Sequence, residues 1–307
     1  MPIRFTCPHC GATTDVSDEY AGRSGPCAGC GQTITVPLPG AVAGYAAPPT
    51  RSPTPIVLAV VGVVVVGFLV CGGGLVALFV FSMRSSVEAA RGAARRAQCS
   101  NHLKQIALAM VNYESTYRCF PPAYTTDENG KPMHSWRVLI LPFLEQRALY
   151  DRYRLDEPWN SPHNRALADL MPRVYRCPSD TTGSPYQTSY AVIVGPKAQP
   201  GRSTTLFAGD QPAKYLDATD GLSNTLMVVE AAGAGIHWME PRDLELEDMD
   251  FKINTGSGRG IQSNHDSGAQ VAFGDGAVSF LPDSLDRQTL RRMILRDDGE
   301  PVDRDRF

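Results

Sequence analysis

Residues 85–117 read SSVEAARGAARRAQCSNHLKQIALAMVNYESTY. The stretch is rich in Ala, Arg, Gln and Leu, and no proline interrupts it before Pro121, so it favours one continuous helix. Cys99, Leu103, Ile106, Met110, Tyr113 and Tyr117 recur at alternating steps of four and three, which puts them on one stripe of that helix. Such a stripe needs apolar surface to cover it. No ligand pattern accompanies it, so it reads as a packing face and not as a cofactor box.

Upstream of this helix, Ile56 to Phe81 is a run of 26 Val, Leu, Ile, Phe, Ala, Gly and Cys residues without a charge. At about 1.5 Å per residue a helix of that length covers roughly 39 Å, enough to cross a hydrocarbon core of about 30 Å with tilt. The segment 56–83 is therefore expected to be one transmembrane helix running into the stripe-bearing helix. It lies too far inside the chain, and is too long, for a cleaved signal peptide. Gly62, Gly67 and Gly72 to Gly74 would let a second membrane helix, including that of another copy, approach closely. Residues 37–55 hold six prolines among Ala, Gly, Ser and Thr, a composition that buries no core and reads as a linker.

Ahead of the linker, residues 1–36 contain Cys7-Pro8-His9-Cys10-Gly11 and Cys27-Ala28-Gly29-Cys30-Gly31. Two Cys-x-x-Cys knuckles separated by sixteen residues match a structural zinc site of four thiolates, Cys7, Cys10, Cys27 and Cys30. So small a unit has little core, and the ion would supply most of its folding free energy. Two disulfides are the alternative. With four cysteines available, His9 reads as a solvent-facing residue of its knuckle. A closed four-sulfur site leaves no position for water, so a structural or interaction module is expected there.

Downstream come short β-type runs: Trp136 to Pro142, Ser189 to Val194, Thr225 to Val229, Gln270 to Phe273 and Ala277 to Leu281. Gly274-Asp275-Gly276 between the last two suits a tight hairpin turn. Asp283 or Ser284 is placed to cap a final helix near Asp286 to Leu295. The expected class is α+β, a long helix on a mainly antiparallel sheet, with 84–307 as one domain beside the separate ribbon. Charge is nearly balanced, 29 Lys and Arg against 32 Asp and Glu, so there is no general basic surface for a nucleic-acid partner.

Several phrases coincide in order: Arg95 to Ile106, Phe120-Pro121-Pro122, Trp136 to Leu139, Leu141 to Gln146, and Tyr175-Arg176-Cys177-Pro178-Ser179. To these add Asp220-Gly221-Leu222-Ser223-Asn224-Thr225 with Glu230, and His265 followed by nine residues and then Asp275-Gly276. Over about residues 84–300 the chain resembles the bacterial pilin-like family catalogued as domain of unknown function 1559. The resemblance makes Cys99, Cys177, Asp220, Gly221, Asn224, His265, Asp275 and Gly276 the family-motif residues. It implies a pilin- or pseudopilin-like fold in which a membrane helix continues into an outer domain and leans on an antiparallel sheet. The segment before the linker resembles the zinc ribbons found at the amino end of bacterial membrane and signalling proteins. One departure matters: no Gly-Phe-Thr-x-x-Glu junction precedes the apolar run, which points to a permanent anchor and not to a processed fibre subunit.

Two signals for orientation oppose each other. Arg51 alone precedes the apolar run while Arg84, Arg91, Arg95 and Arg96 follow it, which by charge counting holds the large domain inside. The resemblance places that domain outside, and thiolate zinc ligands persist better in a reducing compartment. The expectation is a single-pass inner-membrane protein with the ribbon cytoplasmic and the large domain periplasmic or extracellular. An oxidised Cys99–Cys177 pair, implied as the motif-matched cysteines, fits that side and leaves Cys119 unpaired.

No Gly-x-Ser-x-Gly elbow, His-Glu-x-x-His helix or phosphate-binding Gly-x-x-x-x-Gly-Lys loop occurs in the chain. His265, Asp266 and Asp275 admit two readings, an acid–base or metal cluster or simple loop and turn roles, and the second is favoured. Asp220, Ser223, Asn224 and Glu230 likewise read as a turn or cap before a ligand site. Glu240 to Asp250 holds six carboxylates, which read as a solvated acidic loop or, less simply, as a calcium site. The leading expectation is a non-enzymatic membrane-anchored pilin-like protein with protein partners on both faces, acting in envelope assembly or surface interaction. An envelope enzyme or metal-dependent ligand receptor, and a membrane-tethered signalling protein, are the alternatives.

Overall fold

The computed structural model describes residues 2–38, 55–300 and 302, with the backbone alone for 55–83 and 85. The chain divides into two compact units, Met1–Ala77 and Leu78–Phe307. The central part of the 37–55 linker and the side chains of Ile56 to Phe81 lie outside the described residues. Among the described residues, no helix is long and apolar enough to cross a membrane.

In the first unit two hairpins repeat one pattern. Strands β1 (Ile3–Thr6) and β2 (Thr13–Val16) pair antiparallel, as do β3 (Ser24–Pro26) and β4 (Thr33–Thr35). Each hairpin loop is one Cys-x-x-Cys knuckle.

The second unit is a mixed α+β structure. Of helix α1 (Pro55–Tyr117), the part from Leu78 onward belongs to this unit. It is followed by the hairpin β5 (Tyr124–Thr126) and β6 (Pro132–Ser135), and by single-turn helices α2 (Trp136–Leu139), α3 (Arg147–Tyr150) and α4 (Pro162–Arg165). Then come β7 (Tyr190–Ala191), β8 (Ile193–Val194), β9 (Leu226–Glu230), β10 (Leu244–Glu245), β11 (Gly268–Phe273), β12 (Val278–Pro282) and α5 (Arg287–Ile294). The main sheet runs β12-β11-β9-β7 with every pair antiparallel, while β8 and β10 form a short parallel pair.

Register explains why Leu226 to Val229 of β9 and Val271 to Phe273 of β11 read as apolar runs without alternation. Val228 pairs with Ala272 on the face that joins the core around Cys99, Leu103, Ile106 and Met110 of α1. Val229 pairs with Val271 on the opposite face, which packs against Leu290, Met293 and Ile294 of α5. Both faces are covered, so alternation disappears from the sequence. The α1 stripe is fully buried from Cys99 to Met110, and burying each Leu, Ile or Met there contributes about 1.5–3 kcal/mol. Its last member breaks the pattern: Tyr117 is 57% exposed, with its ring against Tyr113 and Phe143.

Two expectations need correction. Trp136 to Pro142 is not a strand but helix α2 followed by a 3-10 turn, Leu141–Leu144. Ser135 Oγ caps α2 by accepting the Arg137 N–H, and Pro142 stands in the first turn of the next element. Helical geometry also sends the wholly buried Arg137 side chain to Asp243 (2.5 Å) and the Tyr190 carbonyl (2.9 Å). Helix α5, secondly, is capped by Asp286, whose carboxylate accepts the Gln288 and Thr289 N–H groups at 3.0 Å. Asp283 instead accepts a hydrogen bond from the Asn254 side chain at 2.7 Å.

Candidate functional site

The two knuckles of the first unit are built alike. Cys7 and Cys27 donate their N–H groups to the Ala12 and Gln32 carbonyls, and Gly11 and Gly31 donate back to the Cys7 and Cys27 carbonyls. Gly11 and Gly31 both have φ near +73°, a left-handed turn that closes the knuckle and that glycine adopts without steric cost. These turns bring Cys7 Sγ to 3.8 Å from Cys30 Sγ and Cys10 Sγ to 3.9 Å from Cys27 Sγ. Zinc bound to sulfur at about 2.3 Å in a tetrahedron needs S···S edges of about 3.8 Å. All four sulfurs lie within 4.8 Å of one another, so the residues fit zinc. The N–H groups of Gly29 and Cys30 turned toward Cys27 lower its thiol pKa, while the neighbouring sulfur of Cys10 and burial raise that of Cys30, so without an ion the sulfurs divide their protons unevenly. His9 is exposed.

A second group of ligand-type residues lies inside the large unit. Cys99 of α1 and Cys177 form a disulfide with Cα atoms 5.2 Å apart, while Cys119 is unpaired and half-buried. Against this bond stand Glu230, the last residue of β9, and His265, in the loop before β11. His265 Nε2 is 3.5 Å from Cys177 Sγ and 3.5 Å from Glu230 Oε1, and its Nδ1 is 3.5 Å from Ser179 Oγ. Both side chains are nearly inaccessible, at 4% and 1% exposure. Glu230 Oε2 accepts the Gln270 N–H at 2.8 Å, whereas Oε1 has no hydrogen-bond partner. Nearby, Ser189 donates from Oγ to the buried Asp180 at 2.7 Å and accepts the Cys177 N–H at 3.0 Å.

The other motif residues do not join this group. Asp275 and Gly276 form the β11–β12 turn: Asp275 accepts the Ala277 N–H at 2.9 Å, and Gly276 has φ +86°. The six residues of β11 separate Asp275 from His265, roughly 20 Å of strand, so an acid–base pair of the two is not formed. Asp220 accepts the N–H groups of Asp298 and Gly299, and its own carbonyl accepts from the Asn224 side chain. Gly221, at φ +90°, lets that turn close. These are turn and tail-anchoring roles. The acidic stretch Glu240 to Asp250 is also dispersed. Asp243 pairs with buried Arg137, Glu240 with Arg242, Glu247 with Arg202, and Asp250 with Thr255. Among the described residues these carboxylates do not gather into a shared calcium site.

The family described as Protein of unknown function (DUF1559) matches residues 88–238 and 233–288. The chain belongs to that family. No curated protein and no solved structure matches it. The matched region of this DUF1559 chain takes in α1 from its middle, the main sheet, the disulfide, Glu230 and His265, while the four-cysteine unit lies outside it.

Within the DUF1559 region, sequence reading found His265 and the cysteine pair but gave Glu230 no partner. The residue did leave a signal: an acid closing the apolar run Leu226-Met227-Val228-Val229 sits where the sheet is buried on both faces. A charge there needs a specific companion.

Proposed function

We propose that this DUF1559 chain is a non-enzymatic, single-pass membrane-anchored pilin-like protein of the cell envelope. The observation that supports it best is the continuity of α1. The uncharged run Ile56 to Phe81 falls within the same helix that, from Cys99 to Met110, packs on an antiparallel sheet. That is the arrangement by which a pilin-like domain is held at a membrane. The ribbon, its four sulfurs spaced for zinc, serves a cytoplasmic protein partner, and the large domain contributes outside to envelope assembly or surface interaction. Separation of His265 from Asp275 supports a role other than acid–base catalysis.

Topology in intact cells tests this. An external protease and an impermeant thiol reagent should reach the large domain, including half-buried Cys119, and leave the ribbon untouched. Labelling confined to the ribbon would reverse the orientation, and recovery of the chain in the soluble fraction would remove the anchor.

A further inference from the structure

We propose that Cys99, Cys177, Glu230 and His265 form a second zinc site in the large domain, closed while the disulfide is intact and opened by its reduction. The one ligand atom from each residue lies within 4.8 Å of the other three. A tetrahedral zinc ion with nitrogen at about 2.0–2.1 Å, sulfur at about 2.3 Å and carboxylate oxygen at about 2.0–2.2 Å needs N···S edges of about 3.5 Å and N···O edges of about 3.3–3.5 Å. His265 Nε2 makes both edges, 3.5 Å to Cys177 Sγ and 3.5 Å to Glu230 Oε1. Two of the six edges of the tetrahedron already stand at zinc spacing.

The second observation is the orphaned oxygen. Glu230 Oε1 is buried, points at His265 and Cys177, and has no hydrogen-bond partner, while Oε2 is satisfied by Gln270. An ordinary buried His–Glu pair would close to about 2.7–2.9 Å; here the two atoms stand apart by the width a metal requires. A buried acceptor left unsatisfied destabilises the fold, and a cation between the two side chains removes that cost.

A disulfide offers no thiolates, so the site depends on redox state. A dithiol reductant passes two electrons and two protons to the Cys99–Cys177 bond; its own sulfurs become a disulfide, and the protein gains two thiols. Zinc then takes both sulfurs as thiolates, and their two protons leave to solvent. The ion adds two positive charges and displaces two, so the net charge buried around Glu230 does not change. That equality means the site fills without adding net buried charge, the thiolates and Glu230 taking the place of the ion's water.

The test is the zinc content of the full-length chain, oxidised and after reduction by a phosphine, with free Cys99 and Cys177 confirmed by alkylation and mass. Reduction should add about one zinc per chain, and the gain should vanish in Glu230→Gln and His265→Ala. The Cys7→Ser/Cys10→Ser chain keeps the gain while losing the ribbon's zinc, so failure of the ribbon reading is told apart from failure of this one. Should either large-domain variant misfold, cobalt(II) titration of the reduced wild-type chain decides. A second set of d–d bands with thiolate charge transfer, distinct from a four-sulfur spectrum, supports the site. No increment on reduction, or the same increment in both Glu230→Gln and His265→Ala, overturns it.

Discussion

Replacing the disulfide, Cys99→Ala/Cys177→Ala, tests how the large domain is held together. The bond closes a loop between residues 78 apart, one cysteine on α1 and the other beyond the helical turns that follow it. Chain-entropy loss for a loop of that length is about 15 cal/mol/K, or about 4.5 kcal/mol at 25 °C. Against a net stability of about 5–15 kcal/mol, this is a third or more of what keeps a domain folded. All three tryptophans, Trp136, Trp159 and Trp238, lie in this unit, so their fluorescence reports its unfolding and not the ribbon's. With a urea slope of about 2–3 kcal/mol/M, the midpoint should fall by about 1.5–2 M. Wild type unfolded with a reductant and a chelator should show the same loss, the chelator removing any stabilisation by bound zinc. A decrease below about 1 kcal/mol would refute the reasoning, because the loop would then already be restrained in the unfolded chain.

Arg137→Met strands Asp243, which is wholly buried and has its carboxyl pushed up by that burial, so it should cost about 3–5 kcal/mol; adding Asp243→Leu should recover part of it, because Trp136 Nε1 and the Val192 N–H then lose their acceptor, and simple additivity in the double-mutant cycle would count against a coupled pair. Burial holds His102, His134 and His237 below the ordinary histidine value, so the unfolded chain binds protons below about pH 6.5 that the folded one refuses. Stability should therefore be full above that pH and fall as pH drops toward the depressed folded values; His134→Gln should flatten the slope measured between pH 7.5 and 5, and an unchanged slope would exonerate this histidine. Isolated residues 1–36 should bind about one zinc per chain and lose their circular dichroism on chelation, an outcome that a metal-independent fold would not give.

How much of this could be read from the chain depended on period and distance. The α1 stripe was legible because its alternating spacing follows the helical repeat, and it failed at Tyr117, whose ring meets Tyr113 and Phe143 yet stays 57% exposed. Strands β9 and β11 were legible as short apolar runs, and their hairpin partner through Gly274-Asp275-Gly276. Trp136 to Ile140 was not, because a wholly buried turn and a buried strand share one composition; the arginine inside the run was the available clue, since only a helical turn carries its guanidinium to Asp243. The pairing of Glu230 with His265 was out of reach for another reason. It arises from the β9–β11 register across 35 residues, and such long-range contacts leave no local pattern.

The same point in the fold ties together four segments that are far apart in sequence. Cys99 comes from α1, Cys177 from the loop after the helical turns, Glu230 from the end of β9, and His265 from the approach to β11. Under the proposed topology the domain is synthesised where thiols stay reduced and works where they oxidise. In the first compartment the two cysteines are free and the carboxylate and imidazole already face them, so zinc would fasten α1 to the sheet before any covalent bond exists. In the second, exchange with an oxidised dithiol partner takes two electrons from the thiolates, the Cys99–Cys177 bond closes as the partner is reduced, the ion is released, and the fastening becomes independent of metal supply. The two states draw on the same four segments with the same net buried charge, and the change between them is the parting of the Cys99 and Cys177 sulfurs to zinc's S···S spacing of about 3.8 Å. This predicts that zinc protects the reduced chain's α1 amides from hydrogen exchange near Cys99 but leaves the oxidised chain's unchanged. Equal protection in both forms would mean that the ion, if bound at all, binds elsewhere.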